Sequence, residues 1–437
     1  MRRAIGTCVL GLAVVVGGSG ARAELKPGQM LDQSTADEAK DMLPPEIYQH
    51  FKKGEYINPV VEFPATKWDW DDEFKEGTKW NAEHIVLDAK KSVIDKATGK
   101  RPGYLIGLPF PNLDEKDPDV GTKILWNLDY AYYAGGNSHN WTALNWISRS
   151  GVDRTSVQDV YFLYYEGQPK AYSPKNNPED MLFQLLAATK TPADLQGTSS
   201  ISYRFKDPGK RDLSWAYVPA LRRVRAVSPA NRSDGFLGSD QSQDDGFFFD
   251  GKVEDFDWKY VDHREAMRLV DPDSIAGKVK RKPLPGGGWR TDAINNDRAV
   301  GFMVKDWKGV AWAPASAGVA KRKFWVIEGV PKDQYYLYGK IQLWIDDQSW
   351  QGSWNRKFSW RGDLLNVYQT LGFATAPFND KERWWGATQG YQGSENIKAD
   401  RATVSGQHGP GEDPADDRRV PLSQGLFDYQ TLNRVGK

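Results

Sequence analysis

Residues 321–368 alternate at period two. Phe324 and Val326 interleave with Trp325 and Ile327 before Gly329-Val330-Pro331-Lys332-Asp333 interrupts the run. Beyond it Tyr335, Leu337, Ile341, Leu343 and Ile345 fall on one face, and Tyr336, Tyr338, Lys340, Gln342 and Trp344 on the other. Asp346-Asp347 predicts a turn, Trp354 to Trp360 a third strand, and Arg361-Gly362-Asp363 a turn before a further apolar run. Aromatic and β-branched residues at this density predict an antiparallel meander. Both of its faces are too apolar to stand in water, so a second layer or an apolar occupant must cover it.

The same reading extends along the chain. Helices are predicted after Ser34-Thr35, from Pro45 to Gly54, and over 119–133, where Ile124, Leu125, Leu128 and Tyr132 recur at helical spacing. Asn177-Pro178-Glu179-Asp180 supplies a cap, a first-turn proline and first-turn acids, predicting a helix through Met181, Leu182, Leu185, Leu186 and Ala188. Strands are predicted over 80–88, 104–108, 141–147, 157–165, 199–205, 212–218, 221–227 and 257–261. Residues 58–78 read as irregular, 228–250 as a Gly/Ser/Asp loop, and 400–419 as a mobile polar segment. Pro283 to Gly288 is the candidate internal boundary of an otherwise single β-rich domain, 24–437.

Arg2-Arg3, the apolar run 8–16 and Ala21-Arg22-Ala23 together predict a cleaved export signal over 1–23. The run is shorter than the ~20 residues a membrane span needs. The one cysteine, Cys8, lies inside it, so the chain beyond has no thiol for a disulfide, a zinc site or a lipid anchor. With 58 basic and 58 acidic residues, the chain lacks the basic excess of a general nucleic-acid binder. Its 18 Trp point to contact with apolar or sugar-like ligands as well as to strands.

Residues 212–225, Asp212-Leu213-Ser214-Trp215-Ala216-Tyr217-Val218-Pro219-Ala220-Leu221-Arg222-Arg223-Val224-Arg225, together with the stretch from Asp240 to Lys259, resemble the bacterial domain-of-unknown-function family 1329 (DUF1329). That family is similar to the LolA/LolB-like superfamily of periplasmic lipoprotein carriers. The resemblance implies a mainly β fold with helices, a curved antiparallel sheet forming an incomplete barrel with helices against its concave side. It also implies a periplasmic carrier of a lipid or other hydrophobic cargo, working with an RND-type exporter and the outer membrane. The chain is longer than the simple carriers, and the cargo does not carry over.

The candidate ligand-binding residues are Trp215, Tyr217, Arg223 and Arg225, and the aromatic set Trp325, Tyr336, Tyr338 and Trp344. On one strand Arg223 and Arg225 share a face and Arg222 lies opposite. Their forked guanidinium groups suit a lipid phosphate or carboxylate, or else they serve salt bridges to nearby Asp. The alternation places Tyr338 and Trp344 in a ligand cavity and Ile341, Leu343 and Ile345 on the reverse side. His139, in a Gly-rich stretch, is the one histidine in a ligand-like loop, and no histidines stand at metal spacing. No catalytic residue, metal or cofactor is expected. The alternative is a carbohydrate-active enzyme or sugar-binding protein using acid pairs such as Asp346-Asp347 or Asp244-Asp245.

Overall fold

The computed structural model describes residues 24–64, 69–291, 299–386, 391–407 and 415–435. The export signal assigned to 1–23 and His408 lie outside them. Two small antiparallel pairs flank the main sheet: β1 (Met30–Leu31) with β2 (Asn58–Pro59), and β3 (Ile85–Leu87) with β4 (Val93–Asp95). The main sheet has 16 strands. They are β5 (Ser138–Ser148), β6 (Gly151–Tyr164), β7 (Met181–Thr191), β8 (Ser199–Phe205), β9 (Leu213–Val218), β10 (Arg223–Val227), β11 (Phe256–Val270), β12 (Arg281–Pro283), β13 (Trp289–Thr291), β14 (Gly318–Pro331), β15 (Lys340–Asp346), β16 (Gly352–Phe358), β17 (Leu364–Thr370), β18 (Gln392–Asn396), β19 (Arg401–Gln407) and β20 (Ala415–Arg418). The main path runs β10-β9-β8-β7-β6-β5-β19-β18-β17-β16-β15-β14-β11, and β10 and β11 never meet. The sheet is therefore mainly antiparallel, continuous and unclosed.

Among the described residues five α-helices accompany it: α1 (Pro45–Lys52), α2 (Asp72–His84), α3 (Val120–Tyr133), α4 (Pro272–Ile275) and α5 (Leu432–Val435). The long apolar helix α3 reveals the curvature. Its Ile124, Leu125, Leu128 and Tyr133 share one core with Phe162 of β6, Phe183 of β7, Ile327 of β14 and Leu343 of β15. Strands β7 and β14 stand eight places apart in the sheet. A flat sheet would separate them by nearly 40 Å at about 4.8 Å per strand, so the sheet curls around α3. The convex side is covered separately. The N-terminal segment, with Leu31, Ile47 and Phe51, packs on Met267, Trp344, Trp354 and Val404. The C-terminal segment, with Phe427 and Leu432, packs on Leu186 and Ile201.

The expected fold class holds, with α3 as the concave helix and α1 on the convex side. The meander 321–368 is β14 to β17. Several local expectations fail for identifiable reasons. Met181–Thr191 is a strand. The cap-like Asn177 folds a turn, its Oδ1 accepting from the Met181 backbone N–H at 2.8 Å and its Nδ2 donating to the Met181 carbonyl. The run that follows is apolar on both faces because both faces of β7 are covered. Residues 72–84 form α2, where a strand was expected from Trp80. Trp80 is exposed and stacks on His84 one turn on, at 4.4 Å. Residues 104–108 form no strand; their Ile106 and Leu108 carbonyls accept from Asn81 instead. The strand expected at 257–261 extends to Val270. The polar segment 400–419 holds β19 and β20, with Arg418 and Arg419 buried. Residues 284–288 turn the hairpin between β12 and β13.

Candidate functional site

A cavity of about 200 Å³ opens on the concave face beside α3. One wall comes from adjacent strands in register. Asn140 of β5 faces Val160 of β6, Val160 faces Ala187 of β7, and Ala187 faces Ser200 of β8. The next row is Phe162, Leu185 and Ser202. Directly opposed residues share a face of the sheet, and all of these line the cavity. Leu144, Tyr368, Gln392 and Ser405 continue the wall across β5 and β17 to β19.

The other wall is the segment from Ser228 to Asp255, which joins the two sheet edges and crosses the hollow. Phe236, Ser239, Gln241 and Asp245 contribute to the lining. The segment is tied down at several points. The Asp240 carbonyl accepts from Ser394 Oγ at 2.6 Å, and its amide donates to Thr403 Oγ1 at 2.9 Å. Gln241 Nε2 donates to the Gln392 and Thr403 carbonyls. Asn355 Nδ2 donates to the Phe248 carbonyl at 2.9 Å. The Phe248 ring lies where a Cβ on residue 352 would stand, 2.0 Å away, so Gly352 is what permits this approach. Asp245 pairs with the buried Lys357 at the cavity floor. Burial pushes the Asp245 carboxyl up, against the pull of Lys357.

Beyond Phe248 a buried ionic cluster fixes the segment to β8. Arg204 contacts Asp212 at 2.8 Å and the Asp250 carbonyl at 2.7 Å, and Arg232 contacts Asp244 at 2.7 Å. Burial lifts Asp250 to about 6 even beside these two guanidinium groups. The two guanidinium groups are thus held among Asp212, Asp244 and Asp250.

Several polar side chains of the cavity wall are also engaged. Ser202 bonds Ser214, Gln158 bonds Ser156 and Thr189, and Thr142 accepts from the Gly406 amide. Ser405 donates to Gln241, and Tyr368 donates to Gln392. What the cavity presents is chiefly the apolar surface of Leu144, Val160, Phe162, Leu185, Ala187 and Phe236.

None of the eight candidate residues lines this cavity. Trp215 and Tyr217 turn to the convex face under the C-terminal segment, where Trp215 stacks on Tyr429 at 4.4 Å. Trp325 is buried in the α3 core and stacks on His263 at 3.6 Å. Tyr336 and Tyr338 belong to the loop before β15, not to the strand, and enter that same core beside Ile341, Leu343 and Ile345. Tyr336 donates to Asp244 at 2.7 Å and borders a smaller charged pocket with Arg232 and Lys252. Trp344 points the opposite way, into the convex core. Tyr338 and Trp344 are thus on different sides, because the loop breaks the period-two count at residue 340. Arg223 and Arg225 stand exposed on the edge strand β10, while Arg222 sits in the preceding turn at φ +49°.

His139 lies on β5 rather than in a loop, paired with Asp159 and stacked on Tyr161 at 4.3 Å. The acid pairs are likewise engaged: Asp346 with Arg322 and Arg268, Asp347 with His263. The residues that do line the cavity were missed because they are small or unremarkable. Their signal is a group of small side chains, Ala187, Ser200 and Ser202, on two neighbouring strands.

The chain thus forms an unclosed antiparallel sheet curled about one helix, with a mainly apolar hollow beside it. The family model for "Protein of unknown function (DUF1329)" matches residues 30–432, and the chain belongs to that family. An uncharacterized protein of Pseudomonas aeruginosa is 23% identical over 297 residues, 64% of this chain and 56% of the relative. The chain therefore spans about half the length of that curated relative. It is similar to a crystallised DUF1329 family protein from Desulfovibrio piger, with TM-score 0.47 and 16% identity over 72% of this chain and 100% of the other. It is also similar to a LolA superfamily protein from Nitrosomonas europaea, with TM-score 0.40 and 12% identity over 70% of this chain and 97% of the other.

Proposed function

We propose that this protein is a non-enzymatic carrier that shelters the apolar part of a lipid or other hydrophobic cargo in the concave cavity. Residues 24–437 act as one unit in the periplasm, passing cargo between an RND-type exporter and the outer membrane. The observation that carries this reading is the cavity itself. Its lining is chiefly apolar and several of its polar side chains are bonded to their neighbours, so a ligand gains by burying hydrocarbon, about 0.8 kcal/mol per methylene. Among the described residues no helix is long and apolar enough to cross a membrane.

Native mass spectrometry of protein extracted from cell membranes tests the proposal. The wild type is expected to retain lipid, and Ala187→Trp, which fills the cavity, to lose it while staying folded. Wild-type protein that carries no lipid and binds no long-chain fluorescent probe, yet turns over a glycan, would overturn the carrier reading.

A further inference from the structure

The sheet face that walls the cavity continues past β8. Arg225 lies opposite Ala216, and Ala216 opposite Ser200. Ser200 in turn faces Ala187 and lines the cavity. Arg225 therefore stands on the cavity side of the sheet, two strands beyond the wall, about 10 Å at the usual strand spacing. Arg223, two residues away on the same strand, shares that side. Val224 between them packs on the opposite, convex side with the C-terminal segment, as alternation requires. In the row of Arg225 the small side chains of Ala216 and Ser200 lie between the guanidinium group and the hollow, and Arg223 stands opposite Val218 on the same face.

Both arginines are exposed on the free edge β10, and neither has a carboxylate partner among the described residues. Buried Arg204, Arg232, Arg268 and Arg322 are each paired with aspartate. Two unneutralised cations beside an apolar hollow match an amphiphile: tail inside, anionic head outside.

We propose that Arg223 and Arg225 form a head-group site for a carboxylate or phosphate, so that the cargo is an anionic amphiphile. This rests on the carrier reading and adds its charge. The guanidinium forks would receive the head in a two-point contact. At an exposed site the attraction is weakened by salt.

The test uses the protein lacking only its export signal and two fluorescent probes with one long acyl chain, a free fatty acid and its methyl ester. The wild type is expected to bind the acid about tenfold tighter than the ester at low salt. Arg223→Gln/Arg225→Gln is expected to erase that preference and leave ester affinity unchanged. Arg223→Lys/Arg225→Lys should retain part of it. Equal wild-type affinity for the two probes, or a preference that survives in the glutamine variant, would overturn the head-group site while leaving the carrier reading intact. A wild type that binds neither probe overturns both.

Discussion

The concave face of the sheet has two halves that differ in what fills them. Along β14 to β17 it is filled by α3 and by the rings of Trp325, Tyr336 and Tyr338. Along β5 to β8 it is hollow, walled by Val160, Leu185, Ala187 and Ser200. The strands on both sides belong to one continuous antiparallel sheet. The difference lies in side-chain size and in where α3 lands. Large rings reach the helix and exclude solvent; small residues facing one another leave a gap that neither the helix nor the segment 228–255 closes. Ring density on β14 and the loop before β15 thus marks filled core here, and the hollow is marked by the small residues Ala187, Ser200 and Ser202 beside the rings of Phe162 and Tyr368.

Mutations can break this comparison. The largest effect is expected from Trp344→Ala, which empties the convex core behind the filled half. It should cost about 3–5 kcal/mol in urea unfolding and leave binding of a fluorescent fatty acid unchanged. Leu343→Ala, on the concave side of the same strand, should cost about 2–5 kcal/mol, again without altering binding.

A pH titration sharpens the comparison. The strands β5 and β18, which wall the hollow half, carry histidine ion pairs on their reverse faces. Burial opposes the charge on His50, yet Glu395 and Glu55 raise it to about 9; Asp159 and Asp417 do the same for His139. Both folded values lie above the unfolded 6.5. Their stabilisation is therefore complete below pH 6.5 and is lost as pH rises through 9, roughly 2–3 kcal/mol for each. Hydrogen exchange should show β5 and β18 losing protection between pH 6.5 and 9.5 before β15 and β16 do. Uniform loss across the sheet would contradict this. The smallest effect is expected at the wall of the hollow. Leu185→Ala, at a half-buried position, should cost under about 1.5 kcal/mol while shifting probe affinity several-fold.

Much of the sheet was legible in the sequence. The meander, the hairpin around Asp207 to Lys210 and helix α3 follow from periodicity and turn residues. The strand β7 was not, because its two buried faces remove alternation and leave an apolar run that fits a helix equally well. The cap-like Asn177 reinforced the wrong choice, since an asparagine that caps a helix and one that closes a turn make similar local bonds. None of the eight candidates lines the cavity; Arg223 and Arg225 stand on its side of the sheet, a face that follows from the pairing of β10. The aromatic candidates were drawn by ring content. Their packing depends on α3 and on segment 228–255, which come from distant parts of the chain.

The two free edges of the sheet, β10 and β11, are consecutive in the chain. The connection between them must bridge the gap that closure would have removed, and in doing so it becomes the movable half of the enclosure. Strand pairing elsewhere does not depend on its length. Insertions or deletions between Ser228 and Asp255 can therefore resize the chamber while every hydrogen-bonded register stays in place. The size of the hollow then rests on a loop, and the unclosed sheet serves as a fixed frame around which that one variable can drift.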